Sequence, residues 1–350
     1  MPSAGLARAG RERAARSAST EEWVRGFDLI PLTHQSLLKY QPALSHRRSR
    51  LPDLCINNVQ RGTSPRWVGR GRSNAHRVCC KPASAIASIS LIATFALLAT
   101  ATYASAQSCS DPARLSFAIT GKIVRSEIGF TQGLEFHDQQ LYESTGKVGG
   151  TTRLNTISLS GQVKTLADLG TSVFGEGLTI LNNEIFQLTW QDHKVFVYDM
   201  AGNMKREMRN PRDGWGLTND GTRLIFSDGG DSIYYTDPKT FAIGKTVRLK
   251  TRQPGPVLGL NELENVRGKI YGNIFTTRLI VRLDPSSGCI EAVSDLSPLW
   301  NAMTPEERTY AEGPDDVLNG IAYDAASDLF YLTGKLWKTI FTGHFMPAGR

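Results

Sequence analysis

One pattern recurs from about residue 130 onward and limits what the chain can fold into. QGLEFHDQQLYESTG from Gln132, EGLTILNNEIFQLTW from Glu176 and WGLTNDGTRLIFSDG from Trp215 align with one another. NELENVRGKIYGNIFTT from Asn261 and NGIAYDAASDLFYLTG from Asn319 continue the series. Each opens on a polar or aromatic residue, runs into a short strand, turns at Asn, Asp or Gly, and returns as an apolar strand. The anchors Leu134, Leu178, Leu217, Leu263 and Ile321 are 44, 39, 46 and 58 residues apart. Between them lie hairpin units such as KVFVYDMAGNMKREM and RLIVRLDPSSGCIEAVSDL, each two alternating strands around a turn. Four strands per repeat and five repeats predict an all-β fold, a five-bladed β-propeller with four antiparallel strands per blade. The strand around Phe117 to Val124 is expected to complete the last blade and close the ring. An irregular β-sandwich is the alternative. Only Pro305 to Ala311 has helical character.

Charge separates the chain into two parts. Residues 1–106 hold fifteen Lys/Arg against five acids, so the other 244 residues carry 25 basic and 28 acidic groups. The basic excess therefore lies outside the repeats, and nucleic-acid binding does not follow from it. Residues 85–104 form a long uncharged run, preceded by Arg77 and Lys81 and followed by Ala104-Ser105-Ala106. This reads as a signal peptide over 75–106, with a membrane-spanning anchor as the alternative. The expected division is 1–74 as a disordered extension or the product of a start codon assigned too far upstream, 75–106 as the signal, and 107–350 as the propeller. Export implies a periplasmic or secreted protein without a stable membrane anchor, expected to be a monomer. Cys109 and Cys289 are the cysteines that follow the signal. They could form one disulfide in an oxidising compartment, but spacing alone does not show it.

In a propeller the innermost strands line a central channel, so the leading ends of the repeats converge on the axis. Gln132, Glu176, Trp215, Asn261, Glu262 and Asn319 are thereby predicted to lie close together. Glu176 stands between Gly175 and Gly177, which suits crowded strands and close approach of a ligand. A carboxylate near apolar and aromatic groups is costly unless it is paired or used. The candidate aromatics beside it are Phe130, Phe174, Trp190 and Trp215. Asn319 and Glu264 are read instead as bonding to neighbouring backbone. His137, His193 and His344 are isolated, so no metal site is read. No G-x-S-x-G and no glycine-rich phosphate loop occurs.

At these residues a resemblance becomes specific. Phe-Thr-Gln-Gly-Leu (130–134), Tyr-Glu-Ser-Thr-Gly (142–146), Phe-Gly-Glu-Gly-Leu-Thr (174–179) and Gln-Leu-Thr-Trp (187–190) match one family in order. So do Gly-Trp-Gly-Leu-Thr (214–218), Ser-Asp-Gly (227–229), Leu-Asn-Glu-Leu-Glu (260–264), Leu-Asn-Gly-Ile-Ala (318–322) and Thr-Gly-Lys-Leu-Trp (333–337). From about 115 to 342 the chain resembles the plant and bacterial type glutaminyl-peptide cyclotransferases. The resemblance implies a five-bladed propeller that turns the N-terminal glutamine of peptides or proteins into pyroglutamate and releases ammonia. It implies that Glu176 is the acid/base, and that Gln132, Trp190, Trp215, Asn261 and Lys335 line the pocket. It implies no cofactor for the chemistry and leaves room for a structural calcium in the central channel. Two departures stand out. Phe275 takes the place of a tryptophan and loses the indole donor, and Arg-Ser-Glu-Ile (125–128) replaces a Pro-His-Asp, which puts the rim in question. A non-catalytic binding propeller and a metal-dependent hydrolase or lactonase remain the alternatives.

Overall fold

The computed structural model describes residues 108–311, 313 and 316–349. The extension over 1–74 and the signal over 75–106 lie outside them. Strand is the dominant element among the described residues. β1 (Ala113–Val124) is followed by a sheet of β2 (Thr131–His137), β3 (Gln140–Thr145), β4 (Thr152–Ser158) and β5 (Val163–Gly170). The second sheet holds β6 (Gly175–Leu181), β7 (Glu184–Thr189), β8 (Lys194–Tyr198) and β9 (Met204–Arg209). The third holds β10 (Leu217–Asn219), β11 (Leu224–Ser227), β12 (Ser232–Thr236) and β13 (Ile243–Arg248). Next come β14 (Leu260–Val266), β15 (Lys269–Ile274), β16 (Leu279–Leu283) and β17 (Ile290–Asp295). The last strands are β18 (Leu318–Asp324), β19 (Leu329–Gly334) and β20 (Thr339–Pro347). These seven join β1 in one eight-stranded sheet, ordered β14-β15-β16-β17-β1-β20-β19-β18.

That large sheet contains two antiparallel runs of four. β1 pairs antiparallel with β20 from Leu115–Pro347 to Val124–Thr339. It meets β17 only at its start, in parallel, at Ala113 to Leu115. The N-terminal strand thus completes the β18–β20 run, as the sequence predicted. A disulfide between Cys109 and Cys289, 180 residues apart, fastens the segment before β1 to the β16–β17 turn. The pairing left open from sequence is therefore made.

Local sequence explains the layering. The first strand of each run is buried along most of its length, and GEGLTIL of β6 is buried throughout. Fourth strands such as β9 (MKREMR) and β13 (IGKTVR) are largely exposed. The first strands touch in order: β2 with β6, β6 with β10, β10 with β14, β14 with β18, and β18 with β2. Apolar clusters fill the space between successive runs. Leu181, Phe186 and Leu188 pack with Leu217, Phe226 and Phe241, for example. Leu134, Leu141 and Ile157 pack with Ala322, Tyr331 and Ile340. Each fully buried side chain of this size contributes about 1.5–3 kcal/mol. The β6–β7 turn is Asn182-Asn183, with φ of 54° and 58°. Such a pair favours a two-residue hairpin of the hand that matches strand twist.

Among the described residues, helix is confined to one excursion, α1 (Ser297–Ala302) and α2 (Pro305–Thr309). α2 was legible from Pro305 onward. Thr304 accepts from the Glu307 amide, and Glu307 accepts from the Thr304 amide, forming a capping box. The other oxygen of Glu307 accepts from the Thr339 hydroxyl and ties the helix to β20.

Candidate active site

The repeats carry an irregularity that sequence alone did not reveal. At the leading end of each first strand, two residues oppose one. The register slips between Thr131 and Gly133, Gly175 and Leu178, Leu260 and Leu263, and Leu318 and Ile321. Ahead of β10 the main chain of Ser227 bonds to both Trp215 and Gly216. Such bulges re-aim a side chain. The re-aimed residues are Gln132, Glu176, Trp215, Asn261 and Asn319.

The residue after each is Gly133, Gly177, Gly216, Glu262 and Gly320. A Cβ on Gly133 would lie 2.4 Å from the Leu178 nitrogen. One on Gly216 would lie 1.9 Å from the Asn261 oxygen. The glycines therefore let neighbouring backbones touch around the ring. Glu262 is the exception among the five. It is fully buried, and its two oxygens accept from the Leu134 amide at 3.2 Å and the Ile321 amide at 2.9 Å. Glu262, expected among the converging residues, thus bonds to backbone on two other strands. Its oxygens are occupied clamping β14 to β2 and β18. Asn319 donates to the Thr131 and Gln132 carbonyls, the backbone role expected of it.

The remaining candidates gather around Glu176. Phe174 and Trp190 meet edge to face at 5.5 Å, and the Trp190 amide donates to the Phe174 carbonyl. Trp215 and Phe275 meet at 5.3 Å and 80°. The ammonium of the buried Lys335 lies 4.8 Å from the Phe275 ring centre and 5.3 Å from that of Phe130. A cation over aromatic faces is attracted to their negative quadrupole. Phe275 thus supplies an aromatic face without an indole donor. Gln132 donates to the Gly146 carbonyl at 3.0 Å. The side-chain oxygens of Gln132, Asn261 and Asn319 are buried and accept no bond among the described residues. These are unused acceptors at the leading ends of three first strands.

Glu176 itself is buried. Burial pushes its carboxyl well above the usual carboxylate range; the Lys335 cation pulls it back, and the Asp213 charge pushes it up again. Unlike Glu262, it receives no hydrogen bond from the described residues to stabilise its anion. Asp213 was not singled out from sequence, although it directly precedes Gly-Trp-Gly-Leu-Thr. An acid in a turn ordinarily signals only solvation. The Gly214 amide donates to the Trp190 carbonyl, which brings Asp213 to the same mouth. Arg125, in the segment that departs from the family pattern, is not a rim residue. It is buried, with its guanidinium 2.6 Å from Glu143, and it also donates to Thr131 and the Gly129 carbonyl. This network braces the segment that presents Phe130.

Comparison with known proteins shows the family. The family model for glutamine cyclotransferase matches residues 91–345. A glutaminyl-peptide cyclotransferase of Arabidopsis thaliana is 34% identical over 217 residues, 61% of this chain and 66% of that protein. The crystal structure of Myxococcus xanthus glutaminyl cyclase superposes with a TM-score of 0.61 and 31% identity, over 68% of this chain and 100% of that one. Bulged inner strands, an aromatic-walled mouth and one unbonded buried carboxyl thus occur together with a match over most of the sequence: the chain belongs to the glutamine cyclotransferase family.

Proposed function

We propose that the protein converts the N-terminal glutamine of peptides and proteins to pyroglutamate with release of ammonia, on a five-bladed propeller. The blade count is supported by the five repeats, the circular order of first-strand contacts and the separation of the large sheet into two antiparallel runs. Export to an oxidising compartment is supported by the disulfide. The observation that carries the function is Glu176, a buried carboxyl whose charged neighbour Lys335 itself lies over the Phe275 and Phe130 rings.

The reaction is an intramolecular acyl transfer. The α-amine nitrogen bonds to the γ-amide carbon, the carbon–nitrogen bond of that amide breaks, and ammonia departs. No enzyme nucleophile is needed, and orientation supplies much of the acceleration. One proton must leave the attacking nitrogen and reach the leaving one. A single carboxyl between the two nitrogens serves as base and then as acid. Glu176 takes this role; burial shifts its carboxyl toward the protonated form, and the Lys335 cation opposes that shift. The γ-oxygen gains negative charge in the transition state, and the Lys335 ammonium, the cation that acts on Glu176, opposes it. The unused oxygens of Gln132 and Asn261 receive the substrate's N–H groups. The rings of Phe130, Phe174, Trp190, Trp215 and Phe275 exclude water, which strengthens each of these interactions.

A structural calcium, which takes six to eight oxygens, would draw on the unpartnered side-chain oxygens of Gln132, Asn261 and Asn319; no three His, Cys, Asp or Glu groups converge among the described residues. The mechanism routes no step through a metal. The test is Glu176→Gln, assayed by ammonia release from a Gln-peptide. A loss of about a hundredfold or more is expected. A variant that keeps the parent rate overturns the assignment.

A further inference from the structure

A cavity of about 210 Å³ is lined in part by Glu127, Phe130, Glu143, Lys147 and Arg153, and the same Phe130 ring lies 5.3 Å from the Lys335 ammonium. We infer that this cavity is a specificity subsite, taking an acidic side chain from the residues that directly follow the N-terminal glutamine. The inference rests on the cyclotransferase reading and adds a substrate preference to it.

Reach is the first argument. The Lys335 and Lys147 ammonium groups lie 5.3 and 5.2 Å from the same Phe130 ring centre, so they are at most about 10.5 Å apart. Extended chain advances about 3.3–3.6 Å per residue. A peptide whose glutamine sits beside Lys335 therefore brings the side chain of its second or third residue to Lys147. Phe130 is the shared wall, so the peptide passes from one site to the other without leaving the surface.

Charge is the second argument. Glu143 is buried and neutralised by Arg125, and it accepts further bonds from Thr131 and Asn155. Lys147 is exposed; its ammonium rests on the Phe130 ring and forms no ion pair among the described residues. Arg153 engages Asp168 through Nε alone, at 3.0 Å, which leaves its terminal nitrogens available. Against these two cations the lining offers one acid without a partner, Glu127, on the exposed rim. An aspartate or glutamate side chain fits the volume and meets both cations. A lysine side chain meets repulsion from both.

The test compares Gln-Ala-Asp-Ala, Gln-Asp-Ala-Ala, Gln-Ala-Ala-Ala and Gln-Ala-Lys-Ala as substrates, with kcat/KM read by ammonia release. The parent protein is expected to prefer the better acidic peptide over the lysine peptide by about fivefold, the scale of one partly exposed ion pair. Lys147→Glu should abolish or invert that ratio, and Glu127→Gln should widen it. Raising the salt should narrow it. Lys147 is exposed, so a melting temperature equal to the parent's shows that the variant folds. Equal ratios in parent and Lys147→Glu, or no preference in the parent, overturn this inference and leave the cyclotransferase reading intact. A parent protein that cyclises none of the four peptides overturns both.

Discussion

Gly177→Ala is the most direct test of how the ring positions the site. The new Cβ would lie 2.5 Å from the Leu217 nitrogen and 2.6 Å from the Trp215 oxygen, where ordinary contact begins at 3.4 Å. Both neighbours are backbone, so neither can swing away. The strands carrying Glu176 and Trp215 must therefore separate by about 0.9 Å. That movement also strains the bond from the Gly177 amide to the Trp215 carbonyl, now 2.7 Å. Overpacking costs about 1–3 kcal/mol, and a weakened backbone bond adds about 1 kcal/mol. For a domain of this size, about 2–4 °C is lost per kcal/mol, so the melting temperature should fall by about 5–15 °C. Activity should fall further than stability. A displacement near 1 Å in an oriented reaction costs on the order of a hundredfold. The assay is kcat/KM by ammonia release at a temperature where the variant is fully folded, alongside a thermal melt. Gly244→Ala is the control, because nothing lies within 4 Å of its added carbon. That control should be neutral in activity and neutral or slightly stabilising in the melt. A Gly177→Ala protein with the parent's kcat/KM would refute the claim that ring packing at this glycine positions Glu176. An equal loss in the control would refute it as well.

Two further outcomes follow from the electrostatics. Lys335→Met removes the cation that holds the Glu176 pKa down, so that pKa rises. As the base must be ionised, the acid limb of the kcat/KM profile should move to higher pH, with kcat reduced about a hundredfold through loss of the opposing charge; an unmoved limb would separate Lys335 from Glu176. Deeper in the channel, burial raises Glu135 from 4.5 to about 7, and the Thr179 hydroxyl donates to it. The folded state then keeps a proton that the unfolded chain releases, so stability should fall as pH rises from 4.5 to about 7 and level off above that. Melts between pH 5 and 8 should show this decline in the parent and a shallower one in Glu135→Gln; equal slopes would contradict it. Some decline should persist in the variant, since burial also raises Glu262 and Glu264.

Much of the site was legible because the repeat itself aligns it. Once Leu134, Leu178, Leu217, Leu263 and Ile321 are placed in register, the residues two positions ahead are Gln132, Glu176, Trp215, Asn261 and Asn319. Their convergence needed only the expectation of a ring. What the sequence hid was direction. Adjacent residues of a regular strand point to opposite faces, so Asn261 and Glu262 could not both be assigned without knowledge of the bulge. Arg125 was hidden for a different reason. An arginine in a loop ordinarily reads as solvated, and only the fold brings Glu143 within 2.6 Å to bury the pair.

The same register separates two carboxyls that look alike by burial. Glu176 and Glu262 are both buried, and burial raises the pKa of each. Glu262 stands where the other four repeats have glycine, and a bulge leaves backbone groups of its strand outside the ladder. Its side chain crosses the axis and accepts from the Leu134 and Ile321 amides, the residues directly after two of those bulges. A carboxyl bonded through both oxygens to backbone amides in this way braces the ring. Glu176 stands one position earlier in its repeat and points to the mouth. It has Lys335 and Asp213 as charged neighbours and no hydrogen bond to its oxygens from the described residues. Its lone pairs are therefore open to a substrate's nitrogens. One residue of register, set by Gly177 where β14 has Glu262, separates the buried glutamate that clamps two backbone amides from the one whose charged neighbours are Lys335 and Asp213.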